Sequence, residues 1–124
     1  MKRNSKGFTL IELVTVIAIL GVLAAMTVPK FFSLQIKAQN ETQNQIIGTI
    51  RAGLETYGAN QIVFAGAKIY PVTTVDLLDA VLNPVPAKWT YVTGTGKITH
   101  TRSDSIITWT YTRPTPATYT ITKD

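Results

Sequence analysis

Glu12 is the single ionisable side chain between Phe8 and Val28, set in the run Gly7-Phe8-Thr9-Leu10-Ile11-Glu12-Leu13. From Leu13 to Val28 the chain carries no charge, only Ile, Leu, Val, Ala, Gly, Met and the two threonines Thr15 and Thr27. An acid at the centre of a membrane-length helix costs roughly 2.5–3.5 kcal/mol to insert, less toward an end, and usually faces a partner or a polar cavity. A cation is the expected partner. The nearest along the chain are Lys2, Arg3 and Lys6 on one side and the distant Lys30 on the other. A break between Gly7 and Phe8 would supply a closer one, the freed α-amino group of Phe8. Within one helix that amine and Glu12 stand about a turn apart; between staggered helices they can meet directly. The chemistry on offer is ion pairing, not catalysis.

Other reactive side chains form no convincing set. The chain has no cysteine, which removes thiolate metal sites, a Cys nucleophile and any disulfide. His100 stands without a nearby acid–base group. Asp76 and Asp79 share a helix face, but two carboxylates are too few for a Ca²⁺ site and are read as solvated. Trp89, Tyr91, Trp109 and Tyr111 are read as inter-strand packing rather than a ligand platform. Asn40-Glu41-Thr42 has the spacing of a glycosylation signal, read as chance on a helix. No residue is assigned to catalysis, to a cofactor or to a metal, and the chain is not expected to be an enzyme.

The elements that must carry Glu12 are legible from hydropathy. Phe8–Val28 spans about 30 Å as a helix, the thickness of a bilayer core. Basic residues before it and none after it until Lys30 predict a cytoplasmic N-terminus. Beyond Pro29 the pattern turns amphipathic, with Phe32, Ile36, Ile47, Ile50, Leu54 and Tyr57 at helical spacing and Asn40–Gln45 polar all round. Gly58 is the expected C-cap. A helix over 8–58, about 75 Å long, cannot be buried by a small domain, so half of it must lie in a membrane or a neighbour.

The remainder, 59–124, is expected to form a globular head. Residues 59–70 read as a loop, and Thr73-Thr74-Val75-Asp76 as a capping pattern opening a short helix over 74–82 that Asn83-Pro84 ends. Strands are expected near 88–92, 97–102, 106–112 and 118–122, with a break at Pro114-Thr115-Pro116. In the third, Ile107, Trp109 and Tyr111 point one way and Thr108, Thr110 and Thr112 the other. The threonine faces are read as solvent-exposed strand surface first, and as O-glycan or adhesion surface second. The predicted class is α+β: a long N-terminal helix against a small antiparallel sheet, stabilised by packing alone.

The stretch GFTLIELVTVIAILGVLAAMTVPKF resembles the class III leader and N-terminal helix of type IV pilins and secretion pseudopilins. The resemblance continues less strongly to about Tyr57, where Pro29-Lys30-Phe31 followed by Ala38 and Gly48 is similar to mannose-sensitive haemagglutinin-type pilins. It implies that residues 1–7 are a prepilin leader, cut after Gly7 by prepilin peptidase, which also N-methylates Phe8. It implies pairing of Glu12 with the Phe8 amine of a neighbouring subunit, and a helix bend at Gly21 and Pro29. Proline has an independent reason to bend a helix, since it lacks a donor and clashes with the carbonyl four residues back, at Ala25.

The implied protein is a pilin that polymerises with copies of itself through an inner-membrane assembly platform, passing from the inner membrane to an extracellular filament. A periplasmic pseudopilus for secretion or DNA uptake is the alternative, and a membrane-anchored binding module the second. The formal charge of +5 rests on 12 Lys and Arg against 7 Asp and Glu. Without Lys2, Arg3 and Lys6 nine cations face those seven acids, so nucleic acid enters only as a ligand of a fibre surface.

Overall fold

The structure, a computed structural model, describes residues 7–124; most of the expected leader therefore lies outside the described residues. The fold is α+β, with element order α1 (Leu10–Ala65), α2 (Leu77–Val81), β1 (Trp89–Val92), β2 (Lys97–Thr101), β3 (Ile106–Thr115) and β4 (Thr118–Lys123). The chain forms two compact units, one ending at Gln43 and the other Asn44–Asp124.

In the first unit α1 runs without interruption through Gly21 and Pro29. Every residue from Gly7 to Ala38 is exposed, including the large apolar side chains from Phe8 to Ile36. The hydroxyls that break this apolar surface are satisfied within it. Thr15 donates to the Ile11 carbonyl at 2.7 Å, Thr27 to the Leu23 carbonyl, and Ser33 to the Lys30 carbonyl at 2.8 Å. Such bonds let a polar side chain sit in an apolar environment without an orphan donor. Gln43, in the stretch read as polar all round, is 2% exposed.

In the second unit the sheet is an antiparallel meander in the order β1-β2-β3-β4. Its inner face supplies Trp89, Ile98, Trp109, Tyr111 and Ile121, which form one core with Ile47, Ile50 and Leu54 of α1 and with Tyr70, Leu77 and Leu78. The opposite face carries threonine in register across strands, as in Thr90, Thr99 and Thr108. Period-two alternation explains both faces.

Three expected boundaries move. The helix does not stop at Gly58 but continues to Ala65 and ends at Gly66, whose φ is 72° and whose N–H donates to the Ile62 carbonyl at 3.0 Å. Gly58 instead permits close approach, because a Cβ there would lie 3.1 Å from the Tyr70 ring and 3.2 Å from Lys68. The short helix opens at Asp76, whose carboxylate accepts from the Leu78 and Asp79 amides, rather than at Thr73. The third strand passes through Pro114 to Thr115, with a register shift against β4 between Thr112 and Thr115. The proline is tolerated because β2 pairs with β3 only as far as Thr110, so beyond the meander's centre that side of β3 is an edge.

The loop between α1 and α2 is held by buried hydroxyls. Tyr111 donates to the Pro71 carbonyl at 2.7 Å and Tyr91 to that of Thr73 at 3.1 Å. Burial pushes the Tyr111 hydroxyl up to about 12, so it remains a donor at all physiological pH. Tyr111→Phe should leave the Pro71 carbonyl without its partner and destabilise the chain by about 1–3 kcal/mol in urea unfolding; no loss would show that the bond contributes nothing net.

His100 stacks on Trp89 with ring centroids 4.7 Å apart. Burial, with Arg102 and Lys88 nearby, lowers its pKa below the ordinary 6.5. A base held low in the folded state contributes stability that is fully present above its unfolded pKa and is lost as pH falls from there through the lower folded pKa. Unfolding free energy should therefore decline as pH falls below about 6.5, and His100→Gln should flatten that decline. Identical pH profiles for the two chains would refute the assignment.

Candidate functional site

The first turn of α1 binds Glu12 into a local structure. The Thr9 amide donates to Glu12 Oε2 at 2.8 Å, the Thr9 hydroxyl donates to the same oxygen at 2.8 Å, and the Glu12 amide donates to Thr9 Oγ1 at 3.3 Å. These reciprocal bonds make a capping box, with Thr9 as N-cap and Glu12 at the third helical position. The negative charge also faces the positive end of the helix dipole. Sequence reasoning treated Glu12 as an acid with no partner close by; Thr9 corrects that. The signal was present as the spacing Thr-x-x-Glu directly before an apolar run.

The box occupies one carboxylate oxygen. Among the described residues Oε1 receives no hydrogen bond, and the carboxyl group is exposed. Phe8, 88% exposed, lines with Ile11, Glu12, Leu13, Thr15, Val16 and Ile17 an open apolar groove of about 810 Å³. The structure thus brings Phe8 and Glu12 to one surface. Gly7 and Gly21 have open space where a side chain would be, and Pro29 lies within the continuous helix, well along from the groove. Gly21 and Pro29, the expected bend positions, both lie inside the continuous helix α1. Among the described residues no three of His, Cys, Asp and Glu come together.

The apolar run of α1 is long enough to cross a membrane by length and composition, with a mean hydropathy of 2.4 over its most apolar 18 residues. The family described as the prokaryotic N-terminal methylation motif matches residues 2–28, the segment that contains Gly7, Phe8 and Glu12. The chain is similar to type IV pilins and secretion pseudopilins. It is 35% identical over 92 residues to a type II secretion system core protein G of Pseudomonas aeruginosa, covering 71% of this chain and 61% of that protein. It is 41% identical over 56 residues to a type IV major fimbrial protein FimA of Dichelobacter nodosus, 45% of this chain and 36% of that one. A type IV major pilin protein PilA of Myxococcus xanthus is 44% identical over 44 residues, 35% of this chain and 20% of that one. The chain therefore spans less than two thirds of these curated relatives. No solved structure gives a significant match.

For this pilin-like chain the capping box makes a local prediction. Thr9→Val removes the hydroxyl that the Glu12 amide donates to, and an N-cap of this kind is worth about 1 kcal/mol. Hydrogen exchange at the Glu12 amide in micelles should accelerate about fivefold in Thr9→Val and little in Thr9→Ser. Equal exchange in all three chains would mean the box does not form in an apolar medium.

Proposed function

We propose that this protein is a structural pilin-type subunit, which polymerises through α1 after cleavage between Gly7 and Phe8 and N-methylation of Phe8. The observation that carries the reading is the exposure of every residue from Gly7 to Ala38, a helical surface rich in Leu, Ile, Val and Phe that none of the described residues covers. A lipid bilayer covers it before assembly, and the helices of other copies cover it afterwards. Both covers keep the apolar side chains from water, so close helix packing and the polar groups, not apolar burial, favour the second state, and apolar contact sets no register by itself.

Register comes from Glu12. Thr9 holds Oε2, which leaves Oε1 to accept the Phe8 ammonium of an adjacent subunit. The pair forms where the surroundings are apolar, so a shift along the helix axis would strand both charges. Prepilin peptidase and an inner-membrane platform are the partners this route requires, and the subunit passes from the inner membrane to an extracellular fibre. Its role is mechanical rather than catalytic.

A pseudopilus is a second reading with its own support. The match to the core protein G of a secretion system covers 71% of this chain and so reaches past the apolar helix into the head. Fibres isolated from the cell surface and composed mainly of this chain would favour the pilus. Lost secretion with no surface fibre would favour the pseudopilus.

Removing one member of a buried pair costs roughly 3–5 kcal/mol. Glu12→Ala should therefore insert in the membrane normally and yield fibres at least a hundredfold less abundantly, as measured by shearing and quantification. Wild-type fibre yield from that variant would refute the register mechanism, and a mature N-terminus other than methylated Phe8 would refute the processing step.

A further inference from the structure

The exposed apolar surface of α1 is longer than a hydrocarbon core. From Phe8 to Ile36 it covers 29 residues, about 43 Å at the helical rise, whereas the hydrocarbon layer is about 30 Å thick and the whole bilayer with headgroups about 40–45 Å. With Phe8 at one boundary, the hydrocarbon layer ends near Thr27 or Val28. The next two turns, Pro29–Ile36, then cross the headgroup layer.

The residues of these turns suit that layer. Phe31 and Phe32 are 67% and 59% exposed, which leaves two apolar rings to face the edge of the hydrocarbon layer. Lys30 and Lys37 are seven residues apart, two helical turns, and so lie on one face. Side chains on a helix lean toward its N-terminus, which directs Lys37 back toward the bilayer. Neither lysine enters an ion pair among the described residues, and the sequence has no acidic residue between Glu12 and Glu41. The face therefore carries a cation at each end of its passage through the headgroup layer and no opposing charge between them.

We propose that the Lys30–Lys37 face of α1 is a docking site for anionic phospholipid headgroups in the leaflet nearest the globular head. It rests on the membrane-resident state described above and adds a lipid partner to it. Lys30 and Lys37 bracket the phosphate layer, Phe31 and Phe32 fill the interface around the same turns, and the helix is thereby held at a fixed depth until a neighbouring subunit replaces the lipid. Charge complementarity selects headgroups over a second copy as the occupant, because the same face on another copy is also positive.

The test uses the full chain in bilayer nanodiscs of phosphatidylcholine containing a minor fraction of phosphatidylglycerol. Native mass spectrometry of protein released from the discs reads which lipid it retains. The wild-type chain should carry phosphatidylglycerol above its bulk fraction. A lysine near an anionic surface is worth about fivefold in binding, so Lys30→Gln/Lys37→Gln should lower the enrichment at least fivefold with the basic N-terminal residues left intact. Lys30→Arg/Lys37→Arg should restore it. Equal enrichment in wild type and the Gln pair overturns the site, as does retention at the bulk ratio or crosslinking of Lys30 or Lys37 to a second copy instead. Protease protection of the segment before Lys30 is measured in the same discs: a chain that fails to cross refutes the membrane-resident reading itself, whereas one that crosses without enrichment refutes the lipid site alone.

Discussion

An apolar helical surface that no part of its own chain covers governs this molecule. In a soluble domain the hydrophobic stripe of a helix meets a core, as Ile47, Ile50 and Leu54 do here. From Phe8 to Ile36 the apolar residues are distributed all round the helix and none is buried. A helix apolar on every side is stable only inside something else. Lipid and neighbouring helices are nearly equivalent covers for Leu, Ile and Val, so hydrophobicity alone does not choose between them. The few polar groups on the surface are what remains to distinguish one placement from another: Glu12 with Thr9 near one end, Lys30 and Lys37 near the other.

The absence of cysteine places a second constraint on the head, and the structure answers it with hydroxyls and edge contacts. Glu55 accepts from Lys68 at 2.7 Å and from the Tyr70 hydroxyl at 2.8 Å, tying the loop after α1 back to the helix. The Lys68 hydrogen bond, followed by that of Tyr70, holds the Glu55 carboxyl below its usual range. The C-terminal strand is fixed by pairing with β3, by Arg51 donating to the Ile121 carbonyl at 3.2 Å, and by Asp124, which accepts from Thr110 at 2.7 Å and from Lys97 at 3.2 Å. Exposed ion pairs of this kind contribute little singly. Their effect is to pin the middle and the C-terminal end of an edge strand whose start is held by the contact of Tyr119 with Tyr111 of β3.

Much of this was legible before any coordinates. Alternation in Ile107-Thr108-Trp109-Thr110-Tyr111 announces a two-faced strand because the side-chain period of a strand is two. The features that were misread all involve residues with more than one use. Gly58 looks like a helix stop, but it serves the approach of Tyr70 and Lys68, a contact 10 to 12 residues away that no local pattern displays. Pro114 looks like a strand end, yet its missing donor matters only if another strand pairs there, and the length of β2 decides that. Thr9 is the more instructive case. Thr-x-x-Glu is a recognisable helix start, and attention to the oddity of a charge in an apolar run concealed an ordinary reason for it.

For the assembly proposed above, that ordinary reason alters the energetics rather than removing the use for a partner charge. A carboxylate already bonded to the Thr9 amide and hydroxyl enters an apolar environment at lower cost than a bare one, so the subunit can wait in a membrane without a counter-charge. The pairing with a neighbour's amine then need not rescue an intolerable buried acid, and its net contribution is smaller than the full desolvation of Glu12 would suggest. What it retains is geometric. The capping box fixes the side-chain torsions and keeps one oxygen occupied, so the remaining oxygen points in a single direction relative to the helix axis. In the proposed fibre a partner charge would have to come to that point and no other, which is how one acid could set a register along a surface that is otherwise apolar.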